Sequence, residues 1–153
     1  RDWSSDVCSS DLVDAATAHL VRDSSQFDIL ITTNMFGDIL SDLASELSGS
    51  LGLSGSLNLG DSIPMAQAQH GAATDIMNKG IANPISLILS TAMLFEWLGY
   101  KNNIKKYSFV SKVVKNVIDH VLKDKVFLTP DLGGCSTTID LTNEIKRRII
   151  NYE

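Results

Sequence analysis

The sequence has 153 residues, 44% of them apolar and 20% charged, with a formal net charge of −5. That is enough apolar material for a core and too little net charge for a disordered chain. The acidic balance and scattered lysines exclude a basic footprint for nucleic acid. The most apolar stretch, residues 81–97, is broken by Asn83, Pro84, two serines, Thr91 and Glu96, so no membrane span is expected.

Arg1–Leu12, RDWSSDVCSSDL, is rich in Ser and Asp and has neither helical nor strand period. It lacks the charged and apolar regions of a signal peptide. It reads as a non-native leader, of the kind produced when a sequencing adapter is translated in frame, with natural coding entered at about Val13. Cys8 falls in it. With Cys135 as the other cysteine there is no disulfide framework and no metal-ligand spacing, and a reducing, cytoplasmic setting is expected.

The spacing of Val13, Ala16, Leu20 and Val21 predicts a helix over 13–21. Phe27–Thr32 (FDILIT) is a short, nearly continuous apolar run, as in a strand buried on both faces of a sheet. A helix follows over 37–48, with Ile39, Leu40, Leu43 and Leu47 as its apolar stripe. Residues 48–61 alternate Gly, Ser and Leu, which suggests a close-packed segment rather than a linker. Residues 64–69 form a candidate strand and 70–79 a loop. Asn83-Pro84 marks a helix start, and Gly99 is expected to end that helix after Leu98. Residues 108–122 are amphipathic, 130–134 form a turn, and 138–150 make a last helix with Leu141, Ile145 and Ile149 inward. Strands alternating with helices indicate an α/β fold, with too few strands for a complete sheet.

Asp38 and Asp42, in FGDILSD, lie four apart, so both carboxylates share one helix face opposite Ile39, Leu43 and Leu47. Adjacent carboxylates repel unless water screens them or a cation sits between them, and hard oxygen ligands suit Mg²⁺ or Mn²⁺. A solvated helix face is the plain alternative. Asp14 is a lone carboxylate that reads equally as a helix cap or first-turn acid. In His70-Gly71-Ala72-Ala73, small residues after the histidine let a flat ligand approach the backbone, and Asp75 could accept ribose hydroxyls. There is no GxGxxG and no phosphate-binding P-loop. Cys135 lacks a nearby histidine and reads as a loop cysteine rather than a nucleophile.

These pieces occur in one order: Val13-Asp14-Ala15, Asn34-Met35-Phe36-Gly37-Asp38-Ile39-Leu40-Ser41-Asp42, Gly49-Ser50-Leu51-Gly52, His70 to Ile76, Lys79 to Pro84, and Thr129 to Gly134. In that order the chain from Val13 to Glu153 resembles the C-terminal part of the isocitrate/3-isopropylmalate dehydrogenase family, the metal-dependent β-decarboxylating dehydrogenases. The resemblance implies the C-terminal portion of a two-domain α/β fold that is not a Rossmann fold. Residues 13–48 would end the smaller, dimer-forming domain, and 49–153 would form the C-terminal part of the larger, cofactor-binding domain.

The resemblance also implies the chemistry. Such enzymes oxidise a 2-hydroxy acid carrying a 3-carboxylate, pass hydride to a nicotinamide cofactor and release CO₂. The substrate would be 3-isopropylmalate or isocitrate, with homoisocitrate and tartrate as further candidates. Asp14, Asp38 and Asp42 match the acids that hold Mg²⁺ or Mn²⁺, with Asp14 contributed across the interface of a homodimer. His70, Gly71, Ala72, Ala73, Asp75, Ile76 and Asn83 match the cofactor loop. The Asp75-Ile76 pair follows the pattern of NAD users, because a carboxylate there repels a 2′-phosphate. Two departures stand out. Ala72 and Thr74 replace the Ser/Thr and Pro of the family loop, and Met77-Asn78 replaces Ala-Gly. The family's catalytic Tyr and Lys and its substrate-gripping arginines match nothing here, so this chain alone is expected to be inactive and poorly soluble. The alternatives are a non-catalytic regulatory subunit of a hetero-oligomeric NAD-isocitrate dehydrogenase, which the retention of all three acids disfavours, and a stand-alone nucleotide-binding module.

Overall fold

The computed structural model describes residues 13–152; the leader expected over Arg1–Leu12 lies outside the described residues. The chain divides after Leu47 into two compact units.

The first unit holds helix α1 (Val13–Arg22) and helix α2 (Asn34–Leu47), which pack on one another. Leu20 of α1 and Leu40 of α2 are their buried apolar residues. A 3₁₀ turn, Ser24–Gln26, follows α1. It is capped by Asp23, whose Oδ1 accepts from the Ser25 amide at 3.2 Å and the Ser25 hydroxyl at 2.6 Å. The expected strand over Phe27–Thr32 is not formed. A strand needs a hydrogen-bonded neighbour, and the sheet of the described residues holds two other strands only. Ile29 and Ile31 are left 73% and 85% exposed. An apolar run favours burial, but the described residues leave this one uncovered.

The second unit is built around one helix. Strands β1 (Gly55–Leu59) and β2 (Pro64–Ala68) form an antiparallel hairpin, in register from Gly55 opposite Ala68 to Leu59 opposite Pro64. Helix α3 (Ile85–Lys101) lies against both strands on one side and against helix α4 (Lys105–Asp124) on another; helix α5 (Thr138–Ile150) packs on α4. The core joins Ile85 of α3 to Val113, Val117, Ile118 and Val121 of α4 and to Leu141 and Ile145 of α5. The periodicity expected for α4 and α5 is the one that buries these residues. None of the described helices is long and apolar enough to cross a membrane.

Two serines one turn apart stitch α3 to the hairpin. The Ser86 hydroxyl donates to the Ser54 carbonyl and accepts from the Gln69 amide at 3.1 Å. The Ser90 oxygen accepts from the Ser56 amide at 2.9 Å and lies 2.7 Å from the carbonyls of Gln67 and Ser86. Both serines are fully buried. They give buried backbone groups of the hairpin and its flanks hydrogen-bond partners. Gly55 makes this approach possible: a Cβ there would stand 3.1 Å from the Ser90 amide nitrogen and 2.8 Å from the Met93 sulfur. The Gly/Ser/Leu run is thus close-packed as expected, and part of it is a strand.

Gly99 does not end α3, which runs on to Lys101. The glycine serves the crossing of α3 and α4 instead, since a Cβ would meet the Ser108 amide nitrogen at 2.9 Å. Buried glycine inside a helix marks close approach as readily as termination. Helix α5 begins with a capping box: the Thr137 side chain accepts from the Asp140 amide while Asp140 accepts from the Thr137 amide.

Candidate functional site

Asp38 and Asp42 stand one turn apart on α2, both exposed, with Leu40 buried between them on the opposite side. The Ser41 hydroxyl donates back to the Asp38 carbonyl at 3.1 Å, which occupies the backbone and leaves the Asp38 carboxylate outside that bond. Asp14 sits in the first turn of α1, where its carboxylate accepts from the Ala15 amide at 2.7 Å. That is the placement of an N-terminal acid on a helix dipole. The chain does not bring the three acids together. Among the described residues no group of three His, Cys, Asp or Glu side chains converges as an ion site. Asp38 and Asp42 therefore supply two oxygen donors from one helix face, and Asp14 stands apart from them.

The loop His70–Ala82 runs from β2 to α3. It is held at its two ends, and the hydrogen bonds between are local. Ile76 donates to the Ala73 carbonyl at 3.1 Å and Lys79 to the Ile76 carbonyl at 3.1 Å, around a 3₁₀ turn at Thr74–Ile76. His70 Nδ1 lies 3.0 Å from the Gly71 carbonyl. Ala73 adopts a left-handed conformation, φ 44° and ψ 54°, which costs a non-glycine residue about 1 kcal/mol. Such strain is concentrated at binding loops. Thr74 sits first in the 3₁₀ turn, a position that a proline also suits, so the fold keeps the turn without the ring.

Gly71 is not required by the fold. Its φ is not left-handed, and a Cβ there would meet nothing within 4 Å. Ala72, Ala73 and Asp75 are exposed beside it, with Ile76 half-buried and His70 half-buried. The surface is therefore small-residue backbone flanked by one carboxylate.

Asn83 is placed differently from the rest. It is 8% exposed. Its Oδ1 accepts from the Ile85 amide at 3.0 Å, so the asparagine caps α3 from one residue before Pro84, as the sequence suggested. Its Nδ2 donates to Asp131 Oδ2 at 2.9 Å, and the Ser50 hydroxyl donates to the same oxygen at 2.6 Å. Burial works against ionisation of Asp131, but the Ser50, Thr129 and Asn83 side chains outweigh it and hold the carboxyl below its ordinary range. Gly52 completes the packing: a Cβ there would stand 2.7 Å from the Asn83 Cβ.

Sequence reasoning missed Ser50, Asp131 and Thr138 as partners of the loop. Thr138 donates from its amide to the Gly80 carbonyl at 2.8 Å and from its hydroxyl to Ala82. No local pattern could have shown this, because the partners are 48 to 81 residues apart. The available signal was that Gly49–Gly52 and Thr129–Gly134 belong to the same ordered set of segments as the loop.

The model of the family described as isocitrate/isopropylmalate dehydrogenase matches residues 6–147. The chain belongs to that family. A 3-isopropylmalate dehydrogenase of Sulfurisphaera tokodaii is 45% identical over 90% of this chain and 41% of its own length. A homoisocitrate dehydrogenase of Methanocaldococcus jannaschii is 45% identical over 92% of this chain and 37% of its own. Among solved structures, the isocitrate dehydrogenase of Methylococcus capsulatus superposes with a TM-score of 0.81 at 38% identity, over 91% of this chain and 40% of that one. The chain thus spans about 40% of the length of the relatives it matches. The relatives it matches are dehydrogenases of the β-decarboxylating family, and over the part it spans the chain has that family's α/β fold.

Proposed function

We infer that this chain forms the C-terminal part of an NAD-dependent dehydrogenase that oxidatively decarboxylates a 3-carboxy-2-hydroxy acid, 3-isopropylmalate or isocitrate, with Mg²⁺ or Mn²⁺. The observation that carries the reading is the pair of exposed carboxylates, Asp38 and Asp42, one turn apart in a chain of this family. Hard, exposed oxygen donors fit such an ion. A divalent ion held there would polarise the substrate hydroxyl and its neighbouring carboxylate and stabilise the charge that develops on CO₂ loss. Asp14, standing apart from that pair within the chain, would complete the ion site of a partner subunit in a homodimer.

In this reading the His70–Ile76 surface takes the adenosine half of NAD. Gly71 leaves room where no neighbour of its own chain demands it. Asp75, exposed on the 3₁₀ turn, would accept from ribose hydroxyls and repel a 2′-phosphate, which favours NAD over NADP. Asn83 would act by fixing where the loop ends. The substrate is a small hydroxy acid in a cytoplasmic setting, and residues choosing among such acids lie outside this chain's match to the family motifs.

The test joins residues 13–153 to the upstream part of the Sulfurisphaera tokodaii relative and follows NAD reduction with 3-isopropylmalate, isocitrate and homoisocitrate. Mn²⁺ is titrated with and without Asp38→Asn. Turnover lost in Asp38→Asn, together with at least tenfold weaker Mn²⁺ binding, supports the enzyme reading. A folded chimaera that binds Mn²⁺ equally well with Asp38→Asn, and turns over none of the three acids, favours the regulatory-subunit alternative.

A further inference from the structure

The loop His70–Ala82 is a strap whose position is set from outside itself. Its entry is tied where the Gln69 amide meets the Ser86 hydroxyl. Its exit is gripped by residues 129–138, which reach it at Gly80, Ala82 and Asn83. Of these ties, only the one at Asp131 involves an ionised group, and it joins three segments distant in sequence. Asp131 Oδ2 takes both the Ser50 hydroxyl and the Asn83 amide. The Ser50 oxygen in turn accepts from the Gly52 amide at 3.0 Å, and Gly52 packs directly on the Asn83 side chain. Asn83 cannot step aside, because Gly52 leaves it no room and Ile85 holds its other end. Hydrogen bonds to a charged acceptor are about twice as strong as neutral ones, so this oxygen is the strongest fixed point of the strap.

We propose that Asp131 is a positioning residue of the dinucleotide site, setting the exit of the His70–Ala82 strap through Asn83 and Ser50. It need not touch the cofactor. Its carboxylate fixes the strap's C-terminal limb. This rests on the reading of the strap as the NAD surface.

The experiment is amide hydrogen exchange by mass spectrometry on the chimaera described above, residues 13–153 completed by the upstream part of the Sulfurisphaera tokodaii relative, at micromolar concentration, with and without millimolar NAD. Asp131→Ala removes the acceptor; Asp131→Asn keeps one acceptor oxygen without the charge. The expected result is at least about tenfold faster exchange in peptides covering 71–85 of Asp131→Ala, with α4 and α5 unchanged, and an intermediate effect in Asp131→Asn. The NAD concentration that half-protects the strap should rise about tenfold in Asp131→Ala. Should Asp131→Ala not fold, Asp131→Asn carries the test by itself. Exchange in 71–85 unchanged in both variants, or raised equally throughout 48–152, overturns the positioning role. A loosened strap protected by NAD as well as the parent overturns its bearing on the cofactor. Failure of NAD to protect the parent's strap sinks the cofactor reading and, with it, that bearing, whereas unchanged exchange in the variants sinks Asp131 alone.

Discussion

Gly133 and Gly134 are adjacent, yet replacing each by alanine should destabilise the second unit for different reasons and by different amounts. Gly133 ends the 3₁₀ turn Pro130–Leu132 with φ 78°, and a Cβ there meets nothing within 4 Å. Gly133→Ala therefore carries only the left-handed conformation, about 1 kcal/mol. At Gly134 a Cβ would lie 2.0 Å from the Leu128 carbonyl oxygen and 2.5 Å from its carbon. That oxygen is backbone and is itself held by the Ser136 amide at 2.9 Å, while the Gly134 amide is tied to the Thr129 carbonyl at 3.0 Å. The reversal cannot open without breaking those bonds, so Gly134→Ala should cost about 3 kcal/mol, the upper end of overpacking. With about 4–8 °C of melting temperature per kcal/mol in a domain of this size, the expected shifts are about 5 °C and about 15 °C. Thermal unfolding of the two variants followed by circular dichroism measures both. Equal shifts, or a Gly134→Ala protein melting within about 2 °C of the parent, would refute the steric argument.

Other outcomes follow from the same structure. Ser90→Ala leaves the Ser56 amide without its acceptor, and should cost about 1–3 kcal/mol in urea unfolding, whereas Thr91→Ala, one residue on and exposed, should cost almost nothing. Leu141 is fully buried in the α4–α5 core, and Leu141→Ala should lower stability by about 2–5 kcal/mol on the same measurement. The Glu144 carboxyl is held down to about 2 by hydrogen bonds from Arg147 and then Arg148. A depressed pKa stabilises the fold above the unfolded value and is lost on acidification, so the melting temperature should fall between about pH 5 and pH 2, with Glu144→Gln flattening that fall. Finally, the chain alone should show no NAD reduction with 3-isopropylmalate or isocitrate and should self-associate on concentration, because Ile29 and Ile31 are uncovered; steady turnover by the purified chain would contradict this.

The helices were legible from the sequence because their causes are local. The stripe of Val113, Val117 and Val121 defines α4, and Leu141, Ile145 and Ile149 define α5. Asn83-Pro84 placed the start of α3 for the right reason, an asparagine oxygen on the Ile85 amide. The pairing of Asp38 with Asp42 was likewise fixed once α2 was a helix, since a four-residue step puts both on one face. Tertiary context overruled the local signal at two places. FDILIT has the composition of a strand, but a strand exists only with a partner, and none is present among the described residues. Gly99 has the chemistry of a helix stop, but it is spent on the close passage of α4 at Ser108. The Gly/Ser/Leu run shows the same dependence, for its strand is recognisable only beside the serines of α3. What the sequence by itself determined is therefore the family, carried by short segments in one order along the chain, and the helices and the two carboxylates of α2, set by residues a few positions apart. What only the tertiary structure decided is that Ser50, Asn83 and Asp131 share one oxygen, because a hydrogen bond between residues 48 to 81 positions apart leaves no trace in local periodicity.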